Sequence, residues 1–246
     1  MMNITKFGFL NINRQFIGVA DELEGIMKDK GIEYIMLVET NLRRADTCPF
    51  RGIVAEARGE KPGAIGGRPR AKDGVLVATL TDKLQSCMIE TNEDGKWVVV
   101  EIGGIIFIVS YLSPSLSMED IRQFDEVKTR IFSRFQGRPV ICIGDFNTRM
   151  GDQLGDHGTC SCPERRQWMD EWLNSGEWHR MEPTAGKWTT FDLKGGRGIT
   201  DLVIGNDLGC NVVTNIQVHE ELVIGAVDHR LITFDVSTDM LLQKPP

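Results

Sequence analysis

ICIGDFNTRM, residues Ile141–Met150, is an apolar run that breaks abruptly into polar side chains. Val140–Ile143 reads as a buried strand, Gly144 lets the backbone turn closely, and Asp145, Asn147 and Arg149 follow at once. Such a strand fills a core and delivers its last side chains to a rim, where α/β proteins place their chemistry. An Asx-type turn would satisfy the same composition, because Asp, Asn and Gly all favour turns. What separates the two readings is whether other strands of the chain end the same way.

They do. Asn3–Asn11 reads as a strand that ends by presenting Asn11 and Asn13. An amphipathic helix over Val19–Lys30, closed by Gly31, leads to a second apolar strand, Ile32–Val38, which ends in Glu39-Thr40-Asn41. Val75–Leu80, Leu84–Ile89, Trp97–Ile102 and Ile105–Tyr111 are short strands separated by turn-forming stretches, which predicts an antiparallel meander with Tyr111 at its last terminus. Ser117–Phe135 carries the clearest helical stripe, with Ser117 and Asp120 placed as a capping box and Gly137 behind it. Glu164–Leu173 predicts a further helix. Trp188–Phe191, Ile199–Ile204, Gly209–Val218 and Arg230–Val236 predict strands, with Asp201 embedded in the second and Asp228-His229 just ahead of the last. Arg58–Lys72 holds four glycines, two prolines and five basic residues against one acid. It reads as a long loop, either solvated or touching a phosphate backbone through Arg68, Arg70 and Lys72.

The 246 residues, 41% of them hydrophobic, can bury a full core, and no apolar run reaches the roughly 18–20 residues of a membrane span. The start shows no signal-peptide pattern, so the expectation is an intracellular, nuclear protein with no membrane partner and its six cysteines reduced. HGTCSC at 157–162 does not have the Cys-x2-Cys zinc spacing and reads as a polar loop. A net charge of −7 and a pI near 5.2 argue against an extended nucleic-acid clamp but leave room for a local basic patch. One unit is expected over 1–238, with LLQKPP in 239–246 as a tail or the start of a linker.

Collected, the polar strand ends are Asn11, Glu39, Tyr111, Asp145, Asn147, Asp201, Asp228 and His229. This set suits hydrolysis of a phosphodiester with a divalent metal. Glu39 with Asp228 offers hard oxygen ligands to Mg2+, with Mn2+ as a substitute. Asp145 can hold and deprotonate water, and His229, oriented by Asp201, can bond the scissile phosphate or move a proton. Asn11 and Asn147 supply amide donors, and Tyr111 a hydroxyl toward developing charge. Asp201 is the most telling single residue, since a carboxylate inside an apolar strand is costly without a partner.

In order, LNIN (Leu10–Asn13), VET (Val38–Thr40), SYLSP (Ser110–Pro114), GDFN (Gly144–Asn147), TDLVI (Thr200–Ile204) and DHRL (Asp228–Leu231) span nearly the whole chain. The series resembles the endonuclease/exonuclease/phosphatase family, and within it the apurinic-type endonuclease domain of non-LTR retrotransposons. The resemblance implies a DNase I-like four-layer α/β sandwich, two packed mixed or antiparallel sheets flanked by helices, with the site at one edge. It implies Mg2+-dependent nicking of DNA to leave a 3′-hydroxyl, in a chain that shares a polyprotein with a reverse transcriptase. It makes Glu39 the metal ligand, Asp145 and Asn147 the water- and phosphate-handling pair, Asp201 and His229 the carboxylate–histidine pair, and Asn11, Tyr111 and Asp228 their support. Two positions depart from the family pattern. Val227 stands where a serine is usual, and Asn13 stands where repair-type members carry an acid. The alternatives are a small-molecule or lipid phosphoesterase, which the acidic pI favours and the basic stretch disfavours, and a DNA-repair apurinic endonuclease. A catalytically dead adaptor would need a broken position, and none of the eight is broken.

Overall fold

The pattern of alternation inside wholly apolar strands sets the architecture. In Tyr34–Val38, all buried, Tyr34, Met36 and Val38 join one hydrophobic cluster while Ile35 and Leu37 join another. In Val140–Asp145, Ile141 and Ile143 belong to that first cluster, and Val140 and Cys142 to a third. Each strand therefore sends alternate side chains to two apolar layers, as period-2 geometry requires of a sheet covered on both faces.

The computed structural model describes residues 4–61, 70–156, 162–191 and 196–237. The strands are β1 (Ile4–Asn11), β2 (Tyr34–Val38), β3 (Gly52–Lys61), β4 (Arg70–Thr79), β5 (Ser86–Thr91), β6 (Trp97–Ile102) and β7 (Ile105–Tyr111). They continue as β8 (Val140–Asp145), β9 (His179–Arg180), β10 (Thr190–Phe191), β11 (Arg197–Gly198), β12 (Asp201–Gly205), β13 (Val213–Val218) and β14 (Ile232–Ser237). The helices are α1 (Phe16–Lys30), α2 (Met118–Arg134), α3 (Pro163–Leu173) and α4 (Asp207–Val212). Two six-stranded sheets form, in the orders β13-β14-β1-β2-β4-β3 and β5-β6-β7-β8-β12-β9. Each is mixed, with one parallel pair, β1–β2 in the first and β7–β8 in the second. Phe7, Tyr34 and Phe234 from the first sheet and Phe107 from the second meet in the layer between them. The rings stack on Phe7 at centroid distances of 5.2 Å to Tyr34, 5.0 Å to Phe107 and 5.5 Å to Phe234. The outer face of the first sheet packs on α1, and that of the second on α2 and α3. The result is the four-layer α/β sandwich expected from the resemblance.

Helix ends follow local chemistry. Gly31 ends α1 in the left-handed region, and Ser117 with Asp120 forms the full capping box of α2. No helix among the described residues is long and apolar enough to cross a membrane.

Three expectations are corrected. Arg58–Lys72 is not a loop throughout: Arg58–Lys61 ends β3, Arg70–Lys72 begins β4, and the two strands pair. The strand β3 has little apolar signal because it is an edge strand that gives the core only Val54, Ala55 and Ala57, with Glu56 and Arg58 beside them. Val75–Leu80 does not start the meander. Val75–Thr79 belongs to β4, which pairs with β2 and β3 in the first sheet, while only β5, β6 and β7 make the meander in the second. Gly209–Val212 is helical, because the Asn206 side chain accepts the Gly209 N–H and nucleates α4 ahead of β13. Arg68, His157, Cys160 and the 239–246 tail lie outside the described residues.

The Phe7 stack spans the sheet interface, so Phe7→Ala should lower the unfolding free energy by about 3–5 kcal/mol. A urea titration followed by tryptophan fluorescence reads this. A loss below about 1 kcal/mol would mean the inter-sheet layer does not depend on this ring.

Candidate active site

Strand register alone places three side chains in one row. Tyr111 pairs with Asp145 across the parallel β7–β8 ladder, and Asp201 pairs with Asp145 across the antiparallel β12–β8 ladder. Directly paired residues project from the same face of a sheet, so the three stand side by side at the rim. Gly144 makes this possible. A Cβ there would sit 2.2 Å from the Ser110 carbonyl oxygen, so only glycine lets β8 lie this close to β7.

The opposite sheet closes the site. Asn11, last residue of β1, donates from Nδ2 to Asp145 Oδ2 at 2.8 Å across the inter-sheet layer. Asn147 donates its backbone N–H to Asp145 Oδ1 at 2.9 Å and its Nδ2 to Oδ2 at 2.8 Å. Asn147 takes a φ of +46° to do so, which asparagine tolerates better than most residues. The Asp145 carboxylate, 1% exposed, is thus held by three N–H donors. His229 arrives on the segment before β14, bridged to Thr190, with Nδ1 2.8 Å from Asp201 Oδ2 and Nε2 3.8 Å from Asp145 Oδ2. The Thr189 hydroxyl accepts the Asp201 and Thr200 N–H groups and fixes the start of β12.

The electrostatics follow from burial and charge. Burial, then the nearby Asp201 carboxylate, push the Asp145 carboxyl up to about 7, against the pull of His229 and of the Asn147 and Asn11 donors. For His229 burial opposes the charged form, but Asp201, Asp145 and Asp228 outweigh it and raise the imidazole to about 10. The Tyr111 hydroxyl is driven well above its usual range by burial, next by the charge and hydrogen bond of Glu39, and further by Asp145 and Asp73. Glu39 itself is buried, with a backbone φ of +55°, a strained conformation for a non-glycine residue.

The ligand atoms of Asp145, Asp201 and His229 lie within 4.8 Å of one another, a spacing that a cation could bridge. Hydrogen bonding already occupies most of these atoms, Asp201 Oδ1 being the exception. His229 Nδ1 is engaged by Asp201, and both Asp145 oxygens accept N–H donors. We read this trio as an acid–base cluster. Hard oxygens open to a cation include those of Glu39, whose nearest ion-pair partner is Arg14 at 4.0 Å, of exposed Asp228, whose Oδ1 takes one hydrogen bond from Asn13 at 2.8 Å, and the buried Asp201 Oδ1 and Asp73 Oδ2, which accept no hydrogen bond. One or two carboxylates with remaining waters is the usual magnesium donor set.

The structure therefore gathers Asn11, Asp145, Asn147, Asp201 and His229 by hydrogen bonds or close charge contact. It sets Tyr111 against Glu39 and ties Asp228 in through Asn13. Arg70 and Lys72 do not join this cluster. They begin β4, where Lys72 Nζ lies 3.4 Å from Asp73 Oδ2. Asp73 is a residue the sequence reading missed. It is buried, its φ is +54°, and its charge acts on Tyr111. Looking only at strand C-termini hides it, because β4 runs antiparallel to β2 and its beginning meets the end that carries Glu39. An acid abutting a glycine and an apolar run, as in KDGVLVA, was the available signal.

No protein-family model and no curated protein matches the chain. Solved structures do. The endonuclease domain of TRAS1, a telomere-specific non-LTR retrotransposon, matches with a TM-score of 0.68 and 19% identity, covering 98% of this chain and 100% of that one. The 3′–5′ exonuclease NExo of Neisseria meningitidis matches at 0.67 and 13%, covering 95% and 100%. An AP endonuclease from Archaeoglobus fulgidus matches at 0.68 and 14%, covering 94% and 98%. Over almost its entire length, this chain has the DNase I-like fold of these nucleases, as the endonuclease/exonuclease/phosphatase resemblance of its motifs implied.

Proposed function

We propose that this protein is a divalent-metal-dependent phosphodiesterase that nicks DNA and leaves a 3′-hydroxyl. The observation that carries the reading is the buried Asp145 carboxylate, held by Asn11 and Asn147 and faced by a His229–Asp201 pair. Burial and the neighbouring Asp201 carboxylate raise the Asp145 carboxyl well above the usual carboxylate range, which makes it a better proton acceptor, so Asp145 is assigned to the attacking water. His229, kept protonated by Asp201, donates a hydrogen bond from Nε2 to the phosphoryl oxygens as their charge grows. Tyr111, whose hydroxyl keeps its proton, adds a neutral donor at the same rim. Asn11 and Asn147 fix the orientation of the Asp145 carboxylate at the rim. A magnesium or manganese ion held by Glu39 and Asp228 would supply charge neutralisation of the phosphate and polarise its oxygen.

The likeness to a retrotransposon endonuclease domain over its whole length supports DNA as substrate and a reverse transcriptase in the same polyprotein. A nuclear site of action follows from that reading, with 1–238 as the catalytic unit. The net charge of −7 favours a second reading, a small phosphoester substrate. Exposed Arg44 and Arg70 oppose it with local positive charge, Arg43 and Arg58 nearby being paired with Asp46 and Glu56.

Supercoiled plasmid with Mg2+ should be converted to open circles, and EDTA should abolish this. Asp145→Ala and His229→Ala should each lose at least about a hundredfold in rate. Release of phosphate from a phosphoinositide without plasmid nicking would move the assignment to the second reading. Glu39→Gln should raise the Mg2+ concentration at half-maximal rate by about tenfold or more; an unchanged metal dependence would remove Glu39 as a ligand. In metal-free buffer, NMR should find the His229 imidazole protonated past pH 8, and Asp201→Asn should shift its titration toward lower pH. The raised value also means that His229 contributes stability below pH 6.5 that fades as pH rises toward 10. An unshifted titration in Asp201→Asn would contradict the pairing.

A further inference from the structure

Arg165 is 2% exposed and lies in the first turn of α3, immediately after Pro163 and Glu164. Both circumstances are unfavourable for a cation. The positive end of the helix dipole repels it, and burial strips its water. The hydrogen bonds show what offsets these costs. Nε donates to the Thr148 hydroxyl at 3.0 Å, Nη1 to the Ser113 carbonyl at 2.8 Å, and Nη2 to the carbonyls of Leu112 and Phe146. Thr148 Oγ1 in turn donates to the Phe146 carbonyl at 2.9 Å.

These acceptors have one thing in common. Leu112 and Ser113 follow Tyr111 directly, and Phe146 and Thr148 flank Asn147 in the turn after Asp145. β7 and β8 run parallel and end side by side, with Tyr111 opposite Asp145. Past that point the chains leave the ladder; the Ser113 carbonyl takes the Leu116 N–H and the Phe146 carbonyl the Thr148 hydroxyl, and the guanidinium adds a donor to each of them as well as to the buried Leu112 carbonyl. A guanidinium, with five N–H donors in one plane, can serve both chain ends at once, which an ammonium on a flexible stem cannot.

We infer that Arg165 is a positioning residue that sets the spacing between the Tyr111 hydroxyl and the Asp145–Asn147 turn. It touches neither reacting group. It locks the two segments that carry them, from a helix outside the second sheet. The kinetic half of the inference rests on the nuclease reading, and the structural half does not.

The test uses the full chain with Arg165→Lys, and with Thr148→Val, which keeps the side-chain shape, removes one hydroxyl and is the milder change. Hydrogen–deuterium exchange by mass spectrometry is read in the peptides covering 111–113 and 146–149, with β1–β2 as reference. Arg165→Lys should speed exchange in both peptides by about tenfold or more while the reference keeps its wild-type rate. Its kcat for plasmid nicking should fall roughly tenfold to a hundredfold with KM within about twofold, since the substrate contacts remain and only alignment is lost. Thr148→Val should lower kcat about fivefold to tenfold, the effect of losing the two hydrogen bonds that the hydroxyl makes to Arg165 and to the Phe146 carbonyl. A folded Arg165→Lys protein with wild-type exchange in both peptides overturns the inference, as does faster exchange with unchanged kcat. If Arg165→Lys does not fold, wild-type exchange and kcat in Thr148→Val overturn it instead. If wild type does not nick DNA, the nuclease reading fails and the exchange data alone decide the clamp.

Discussion

A carboxylate buried to 1% exposure has to be held by donors, and in this protein that requirement reaches across both sheets. Asp145 ends β8 in the second sheet, yet one of its donors is Asn11, at the end of β1 in the first. That bond forms only if the two strand ends meet at the same rim, which in turn needs the Phe7–Phe107 layer to set the distance between the sheets. Packing and site chemistry are coupled through this side chain. Gly144 serves the same end by letting β8 approach β7 closely enough for Tyr111 and Asp145 to stand in one row.

The site divides into two electrostatic halves. On one side Asp145, Asp201 and His229 form a cluster in which two acids share one imidazole, and the mutual influence of burial and charge raises both Asp145 and His229. On the other, Glu39 and Asp73 face Tyr111, whose phenol is kept neutral. The first half is tied together by hydrogen bonds, with Asp201 Oδ1 alone of its carboxylate oxygens unpartnered, and suits proton transfer. The second offers hard oxygens with few donors on them and suits a cation. Under the proposed function this division would keep water activation apart from phosphate neutralisation, because the groups assigned to proton transfer are not the ones assigned to a metal.

Strain is concentrated at the same rim. Glu39, Asn41, Asp73 and Asn147 all have positive φ without being glycine. Each lies within or beside a strand end that carries a site side chain. Such conformations persist only where surrounding structure over-determines them. Arg165 and the Asp145 donors supply that over-determination for the Asn147 turn.

Much of this was legible in the residues. The apolar runs, the capping box of α2 and the habit of ending strands in Asn, Glu, Tyr and Asp depend on local periodicity and local chemistry, and local signals survive in a linear chain. The same holds for the six ordered motifs that pointed to the fold. The sheet to which β4 belongs, the edge strand β3 and the helical start at Asp207 were not legible, because pairing partners and capping side chains are chosen by neighbours distant in sequence or by a single Asn. Asp73 was hidden for a related reason: only antiparallel pairing brings the beginning of one strand beside the end of another. Arg165 was hidden most completely, since an arginine in the first turn of a helix reads as solvated. Residue types and their spacing determined which side chains could do this chemistry. The tertiary structure decided which of them meet, because burial, register and the distance between sheets are properties of the folded chain alone.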